Sequence, residues 1–271
     1  MVDQFSEIEL QYSVSKEKAW ENLVSRMDET RRSARSVSLI SLSRIAIAAS
    51  VLLLIGVTGF FRFYTKTVYS PAGQHISFYL PDNSLIELNA QSKADFHPYW
   101  FNISRTVTLD GEAFFKVTPG SRFNVVSKPG ETTVLGTSFN IYSRDNDYNV
   151  TCFTGKVRVV SASKNERILL NPNEKAFINK DGFLRFAQEA NALSIQSWRD
   201  NMFVFTSAPV GFVLKEVERQ CNIKIVFQAN PDLTYTGNFS RSLSGKEVLN
   251  LVCTSLGIKF EAKSDSEFLI K

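Results

Sequence analysis

The chain has 271 residues, 44% of them hydrophobic, and its 31 lysines and arginines against 27 acids leave a net charge of +4. That length suffices for one large or two small domains with real cores, and so slight a surplus of base gives no ground for a nucleic-acid partner. Three cysteines cannot all pair with one another, which excludes a complete disulfide framework.

The N-terminal arm is segregated by charge. Residues 1 to 29 carry seven acids and three bases, whereas residues 30 to 44 carry four arginines and no acid. Trp20, Leu23, Val24 and Met27 recur at i, i+3, i+4 and i+7, which predicts a helix over residues 16 to 29 with one apolar stripe and Ser15 as its N-cap. A helix of that length is marginal alone in water. Its stripe asks for cover, from a groove on a soluble protein with a basic surface, from residues 5 to 12 of the same arm, or from the inner leaflet of a membrane.

Ile45 to Phe61 follows, seventeen residues without a charge between Arg44 and Arg62. At 1.5 Å per residue the run covers about 26 Å, close to the thickness of a hydrocarbon core once Arg62 snorkels outward and Phe63 and Tyr64 add an aromatic edge. The segment before it is too long for the n-region of a signal peptide, so residues 44 to 64 are predicted to form a transmembrane helix. Arg26, Arg31, Arg32, Arg35 and Arg44 precede the run, against Arg62 and Lys66 close behind it. The more basic flank stays in the cytoplasm, which places residues 1 to 43 inside and residues 65 to 271 outside.

From residue 65 to about 188 the pattern turns to short β-rich runs: 76–80, 85–89, 105–109, 113–117, 123–127, 132–135, 138–142, 150–153, 156–160 and 175–178. Pro81-Asp82-Asn83-Ser84 reads as a tight turn with Asn83 at positive φ, and Asp110-Gly111-Glu112 reads as another. An all-β domain is predicted, either a solenoid-like stack or a sandwich. Residues 189 to 271 read as a smaller α+β domain. A strand at 202–206 leads to a helix opened by Ser207 and Pro209, with Val210, Val213, Leu214 and Val217 on one face. Strands at 223–227 and 235–240 come next. Ser244 and Glu247 then form a capping box before a helix faced by Val248, Leu249, Val252, Cys253 and Leu256, which stops at Gly257. Strands at 258–262 and 267–270 close a β-α-β-β-α-β-β order, predicted as one small sheet with two helices on one face.

Chemistry is sparse. His75 and His97 are the two histidines and have no metal-ligand spacing, and neither a GxSxG elbow nor a phosphate-binding GxxxxGK occurs. The reading is a protein without a cofactor or metal and not an enzyme. Cys152, Cys221 and Cys253 sit among apolar neighbours as small buried hydrophobes, with a Cys221–Cys253 bridge as the alternative. Tyr99, Trp100 and Phe101 offer a second functional reading, a membrane-anchored receptor that binds a glycan on the β domain. A third is a structural envelope protein that uses its C-terminal module for assembly.

The stretches SPAGQHISFYLPDNSLIELNAQSKADF, RTVTLDGEAFFKV, FNVVS, VLGTSFNIY and TGKVRVVS, in that order, resemble the FecR family of transmembrane anti-sigma factors. WRDNMFVFTSAPVGFVLKEVERQCNIKIVF, YTGNF and VLNLVCTSLGIKFE are similar to the C-terminal domain of a short-armed branch of that family, a domain related to the secretin and TonB-receptor N-terminal (STN) module. The resemblance implies an inner-membrane relay with its C-terminal domains in the periplasm. Its arm would hold an extracytoplasmic-function sigma factor, with Trp20, Leu23, Val24 and Met27 as the contacts and no direct contact with nucleic acid. Its outer domains would sense the signalling domain of a TonB-dependent outer-membrane transporter. The chain departs from the family in Asp82-Asn83-Ser84, where Asp-Gly-Ser is usual, and in an arm shorter than the helical anti-sigma domain of the best-described members. Such an arm would bind through one or two helices that order on contact. Some relatives cleave themselves at a Gly-Thr bond in the motif found here as VLGTSF, which makes Gly136 and Thr137 a candidate self-cleavage site by an N-to-O acyl shift; the alternative, favoured in the absence of a visible base or oxyanion donor, is a strand bulge at Gly136 and an ordinary β-former at Thr137.

Overall fold

A computed structural model describes residues 14–33, 39–145, 147–179, 181–188, 192–228 and 232–270. The acidic tip from Asp3 to Glu9, the cover expected from residues 5 to 12, and Arg35 of the basic collar lie outside the described residues. The chain falls into two compact units that meet between Thr58 and Gly59.

In the first unit, helix α1 (Lys16–Ser33) starts where Ser15 predicts, with the Lys18 amide donating to Ser15 Oγ at 3.4 Å, and runs on past Glu29. Helix α2 (Leu39–Phe63) begins in the first unit and its last residues, from Gly59, belong to the second; its stretch from Ser43 to Phe63 is, among the described residues, the one helix long and apolar enough to cross a membrane. Its 21 residues rise about 32 Å, which matches a hydrocarbon core of ~30 Å. Every side chain from Ser43 to Thr58 is exposed.

The second unit is built on two sheets that share one strand. Its strands are β1 (Lys66–Ser70), β2 (Ile76–Tyr79), β3 (Leu85–Leu88), β4 (Ser92–Phe96), β5 (Arg105–Lys116), β6 (Phe123–Ser127), β7 (Gly130–Val134), β8 (Ser138–Arg144), β9 (Asp147–Thr154), β10 (Val157–Ser161), β11 (Arg167–Leu170), β12 (Glu174–Ile178) and β13 (Leu184–Gln188). One sheet runs β1-β4-β5-β6-β7-β10-β11 and the other β2-β3-β5-β8-β9-β12-β13. Ile86, Phe115, Phe139 and Val150 from one and Phe96, Val107, Phe123 and Val159 from the other enclose a single core, so of the two predicted arrangements this is the sandwich.

The predicted strands at 105–109 and 113–117 prove to be one. β5 runs through Asp110-Gly111-Glu112, which is a bend rather than a turn, because Gly111 takes φ 112°, open to glycine and costly to other residues. Up to Asp110 the strand pairs with β4, and from Gly111 onward with β8. Arg105, at the start of β5, fixes two turns to the strand. Its guanidinium bonds Asp82 Oδ2 at 2.7 Å, the Ser121 carbonyl at 2.6 Å and the Thr118 carbonyl at 2.8 Å. Asn83 takes φ 63° in the first of these turns, as its place there requires.

The C-terminal region has a core of its own. After a short helix α3 (Ala192–Ile195) and a 3-10 turn (Ser197–Asp200) come β14 (Met202–Pro209), α4 (Val210–Cys221), β15 (Lys224–Phe227), β16 (Thr234–Ser240), α5 (Gly245–Leu256), β17 (Phe260–Ala262) and β18 (Glu267–Ile270). Val213, Leu214 and Val217 of α4 pack with Val248, Leu249 and Val252 of α5 over Phe203, Phe239 and Phe268. The capping box of Ser244 and Glu247 forms, and Gly257 ends α5 at φ 68°. Two expectations are corrected. The strands make two sheets, β14-β16 and β15-β18-β17, rather than one. Ser207 does not open α4: it sits at φ 48° beside a register shift between Phe205 and Ala208, its amide bonded to Thr236 Oγ1, and Pro209 precedes the helix.

A Cβ on Gly111 would lie 2.7 Å from the Ser92 Cα. Gly111→Ala is expected to destabilise the unit by about 2 kcal/mol or more, strain and clash together, read as a lower urea midpoint for residues 65 to 271. An unchanged midpoint would contradict the bend as a required feature.

Candidate functional site

Three places in the chain offer function: the α1 stripe, the seam between the two cores of the second unit, and the Gly136-Thr137 bond.

On α1, Trp20, Leu23, Val24 and Met27 are between 42% and 69% exposed. Four large apolar groups thus lie exposed on one helix face, with nothing over them among the described residues. Glu17, Glu21 and Asp28 lie on the same helix.

The seam was not anticipated by pattern. Glu112 on β5 is buried, and its carboxylate accepts from Asn89 Nδ2 at 2.8 Å and Asn140 Nδ2 at 2.9 Å. Asn89 Oδ1 in turn accepts from Gln220 Nε2 of α4 at 2.7 Å, and Gln220 Oε1 meets His75 Nε2 at 3.1 Å. Beside this chain Glu216 and Arg219 of α4 pair at 2.9 Å, with Arg219 reaching Tyr142 OH of β8 at 3.4 Å. Backbone joins backbone as well, the Gly73 amide donating to the Arg219 carbonyl at 2.8 Å. At the other end Arg199 grips Glu87 of β3 with two bonds of 2.9 and 2.7 Å while its guanidinium lies 3.7 Å from the ring centre of Phe114. Phe114, though on β5, packs in the C-terminal core with Trp198. Buried polar groups linked in this way define one docking geometry, since breaking any link leaves a partner unsatisfied.

Burial, then the nearby Glu216 carboxylate, push the Glu112 carboxyl up to about 7 from an ordinary 4.5. Arg144, Asn140 and Asn89 pull the other way without cancelling it. Burial also lowers His75. A cavity of about 170 Å³ lined by Glu112, Glu216, Tyr142, Trp198, Phe205 and Phe212 lies along the seam, with room for a few waters.

Gly136 and Thr137 connect β7 to β8. A Cβ on Gly136 would lie 2.7 Å from the Pro119 Cα, so close approach explains the glycine. The residues around the bond are held by backbone bonds from Gly120 N to the Leu135 carbonyl at 2.8 Å and from Val117 N to the Thr137 carbonyl at 2.9 Å. Thr137 is buried, and its hydroxyl has no hydrogen-bond partner. Elsewhere, Cys152, Cys221 and Cys253 are all free, and burial pushes the Cys152 and Cys253 thiols up to about 11. The three aromatics of the glycan reading do not form one platform: Phe101 is in the core, and Tyr99 and Trp100 lie against the end of α2.

The FecR protein family matches residues 66–158, and the FecR C-terminal family matches residues 202–270. The chain belongs to the FecR family. Two crystal structures of a protein described as an anti-sigma factor from Parabacteroides distasonis ATCC 8503 are similar to it at 28% and 29% identity. Each has a TM-score of 0.69, with 76% of this chain and 98% of the other covered. No curated protein matches. FecR membership makes this a signalling regulator of the anti-sigma type. The two matched regions supply the two sides of the seam, Asn89, Glu112 and Asn140 from the first and Glu216, Arg219 and Gln220 from the second. The signal available in the sequence was polar residues inside strands at 112 and 140, and a second stripe on α4 at i, i+3 and i+4 from Glu216.

Because the folded chain holds a proton on Glu112 that the unfolded chain gives up near 4.5, stability from this site is full below 4.5 and is lost as pH rises through about 7. Between those values stability is expected to fall by at most about 1.4 kcal/mol per pH unit. Urea unfolding of residues 65 to 271 across that range should show the slope, and Glu112→Gln should flatten it. A slope that survives the substitution assigns it to another group.

Proposed function

We propose that this FecR protein is a single-pass inner-membrane anti-sigma factor. Its arm lies in the cytoplasm and holds an extracytoplasmic-function sigma factor through Trp20, Leu23, Val24 and Met27. Its β domain (65–188) and STN-like C-terminal domain (189–271) lie in the periplasm, where they receive the signalling domain of a TonB-dependent outer-membrane transporter. The observation that carries the reading is the uncovered apolar stripe on α1, joined to the rest of the chain through a helix with the length and composition of a span. The arginine-rich flank before α2 supports the orientation. The open edges of the small C-terminal sheets, β14-β16 and β15-β18-β17, suit a partner that adds a strand.

Truncating buried apolar anchors costs roughly 1 kcal/mol or more each. Trp20→Ala combined with Met27→Ala is therefore expected to weaken binding of the sigma factor at least tenfold, about 1.4 kcal/mol, measured by titration with the isolated arm. Affinity should also fall with added salt, because the helix carries acids beside its stripe. Unchanged affinity in the double variant overturns the assignment.

One observation favours a further activity of the same chain, cleavage between Gly136 and Thr137. The Thr137 hydroxyl is unpartnered and directly follows the Gly136 carbonyl. Its oxygen attacks the Gly136 carbonyl carbon, the amide nitrogen leaves as a free amine on threonine, and water then hydrolyses the ester. Mass spectrometry of protein from membranes is expected to find a new N-terminus at Thr137 that Thr137→Ala removes. An intact chain leaves the glycine with its packing role against Pro119.

A further inference from the structure

The loop from His97 to Ser104 joins β4 to β5 and contains no acid, lysine or arginine. Phe101 pins it, fully buried between Phe96 and Phe123 at ring distances of 5.9 and 6.0 Å. Turn bonds from Trp100 N to the His97 carbonyl, and from Ile103 N and Ser104 N to the Trp100 carbonyl, hold its shape. With Phe101 turned inward, Tyr99 and Ile103 are left 60% and 70% exposed. A folded domain gains nothing from displaying these side chains to water on a pinned loop.

Their position explains them. The Tyr99 ring meets Phe61 edge-on at 4.7 Å and Tyr64 at 5.6 Å, and the Arg62 guanidinium lies 5.3 Å from the ring centre of Trp100. His97 Nδ1 lies 3.0 Å from the Tyr64 carbonyl oxygen and 3.2 Å from Thr65 Oγ1. Two residues later β1 begins, with Lys66 opposite Phe96 of β4. The loop is thus fastened to the last turn of α2, where the apolar run ends. Tyrosine and tryptophan gather at the level of lipid headgroups, since an apolar ring and a polar tip suit that boundary. Arg62 and Lys66 are at hand for phosphate.

We infer that the 97–104 loop is a membrane contact: Tyr99, Trp100 and Ile103 seat in the headgroup region of the bilayer that α2 crosses, on the side where the β domain emerges. The inference rests on the reading of α2 as a span. Its physical content is that the β domain touches the bilayer at a second point besides the chain that enters it.

The test uses the full chain in vesicles of phosphatidylethanolamine and phosphatidylglycerol, spin-labelled in turn at Ile103→Cys, Leu53→Cys and Leu169→Cys. All three are exposed positions, and the signal from the unsubstituted chain, in which Cys221 is half-buried, is subtracted. Collision with oxygen reports lipid and collision with a water-soluble nickel chelate reports solvent. Position 53 is expected to read deep, position 169 aqueous, and position 103 between them, with an oxygen-to-nickel ratio severalfold above that at 169. A label at 103 as aqueous as that at 169, while 53 reads deep, overturns the loop contact and leaves the span intact. Low access to both reagents at 103 puts protein, not lipid, over the loop and also overturns it. An aqueous reading at 53 removes the span and this inference with it.

Discussion

At Gly111 the backbone of β5 passes so near Ser92 that a Cβ would sit 2.7 Å from the serine Cα. That contact lets a single strand leave the β4 side of one sheet and continue beside β8 in the other. The hydroxyl of Ser92 takes the Glu112 amide at 3.0 Å, so the residue after the bend is held where the two sheets part. Glu112 then turns its carboxylate to Asn89 and Asn140, and through Asn89 to Gln220 of α4. The geometry at one glycine therefore decides where the C-terminal core docks. Phe114, two residues further along the same strand, is given over to that second core.

A seam of this kind differs from a greasy one. Apolar surfaces can slide past one another at modest cost, whereas buried amides and carboxylates lose hydrogen bonds outright when they move, and here Asn140 Oδ1 and Glu216 Oε2 are already without a partner. The two cores accordingly form a single compact unit, and a ligand that prefers another arrangement must supply the difference in free energy through its own contacts. A proton on Glu112 is one of the terms in that difference. For a signalling regulator such a seam favours discrete arrangements over gradual bending.

Much of this architecture is legible in the sequence, for identifiable reasons. The C-terminal elements follow from local signals that act without help from distant residues: the apolar spacing of α4, the capping box at Ser244 and Glu247, and the glycine after Leu256. The arm stripe is equally local. What was not legible depended on partners far off in sequence. Strand β4, SKADF, has too little apolar content to announce itself, and is made a strand by β1 and β5 on either side. Asp110-Gly111-Glu112 has the composition of a turn, and only contact with Ser92 shows that it is a bend within a strand. Phe101 could not be told from Tyr99 and Trp100 as a surface aromatic until the core around it existed. The seam residues are not legible as such, because a polar residue in a strand or helix reads as solvent-facing unless its partner is known.

The sharing of β5 also sets the order in which the chain can fold. Its neighbours β3 and β4 come before it, but β6 and β8 come after, so β5 has all its hydrogen-bond partners only when the chain as far as Arg144 is present. Pairings over such separations close slowly, because loop entropy is lost before they form. A segment released residue by residue, as from a ribosome or across a membrane, would pass through a stage in which β5 stands with an open edge on each sheet. Acquisition of the native state, not only its maintenance, thus depends on how quickly β8 follows β5 out.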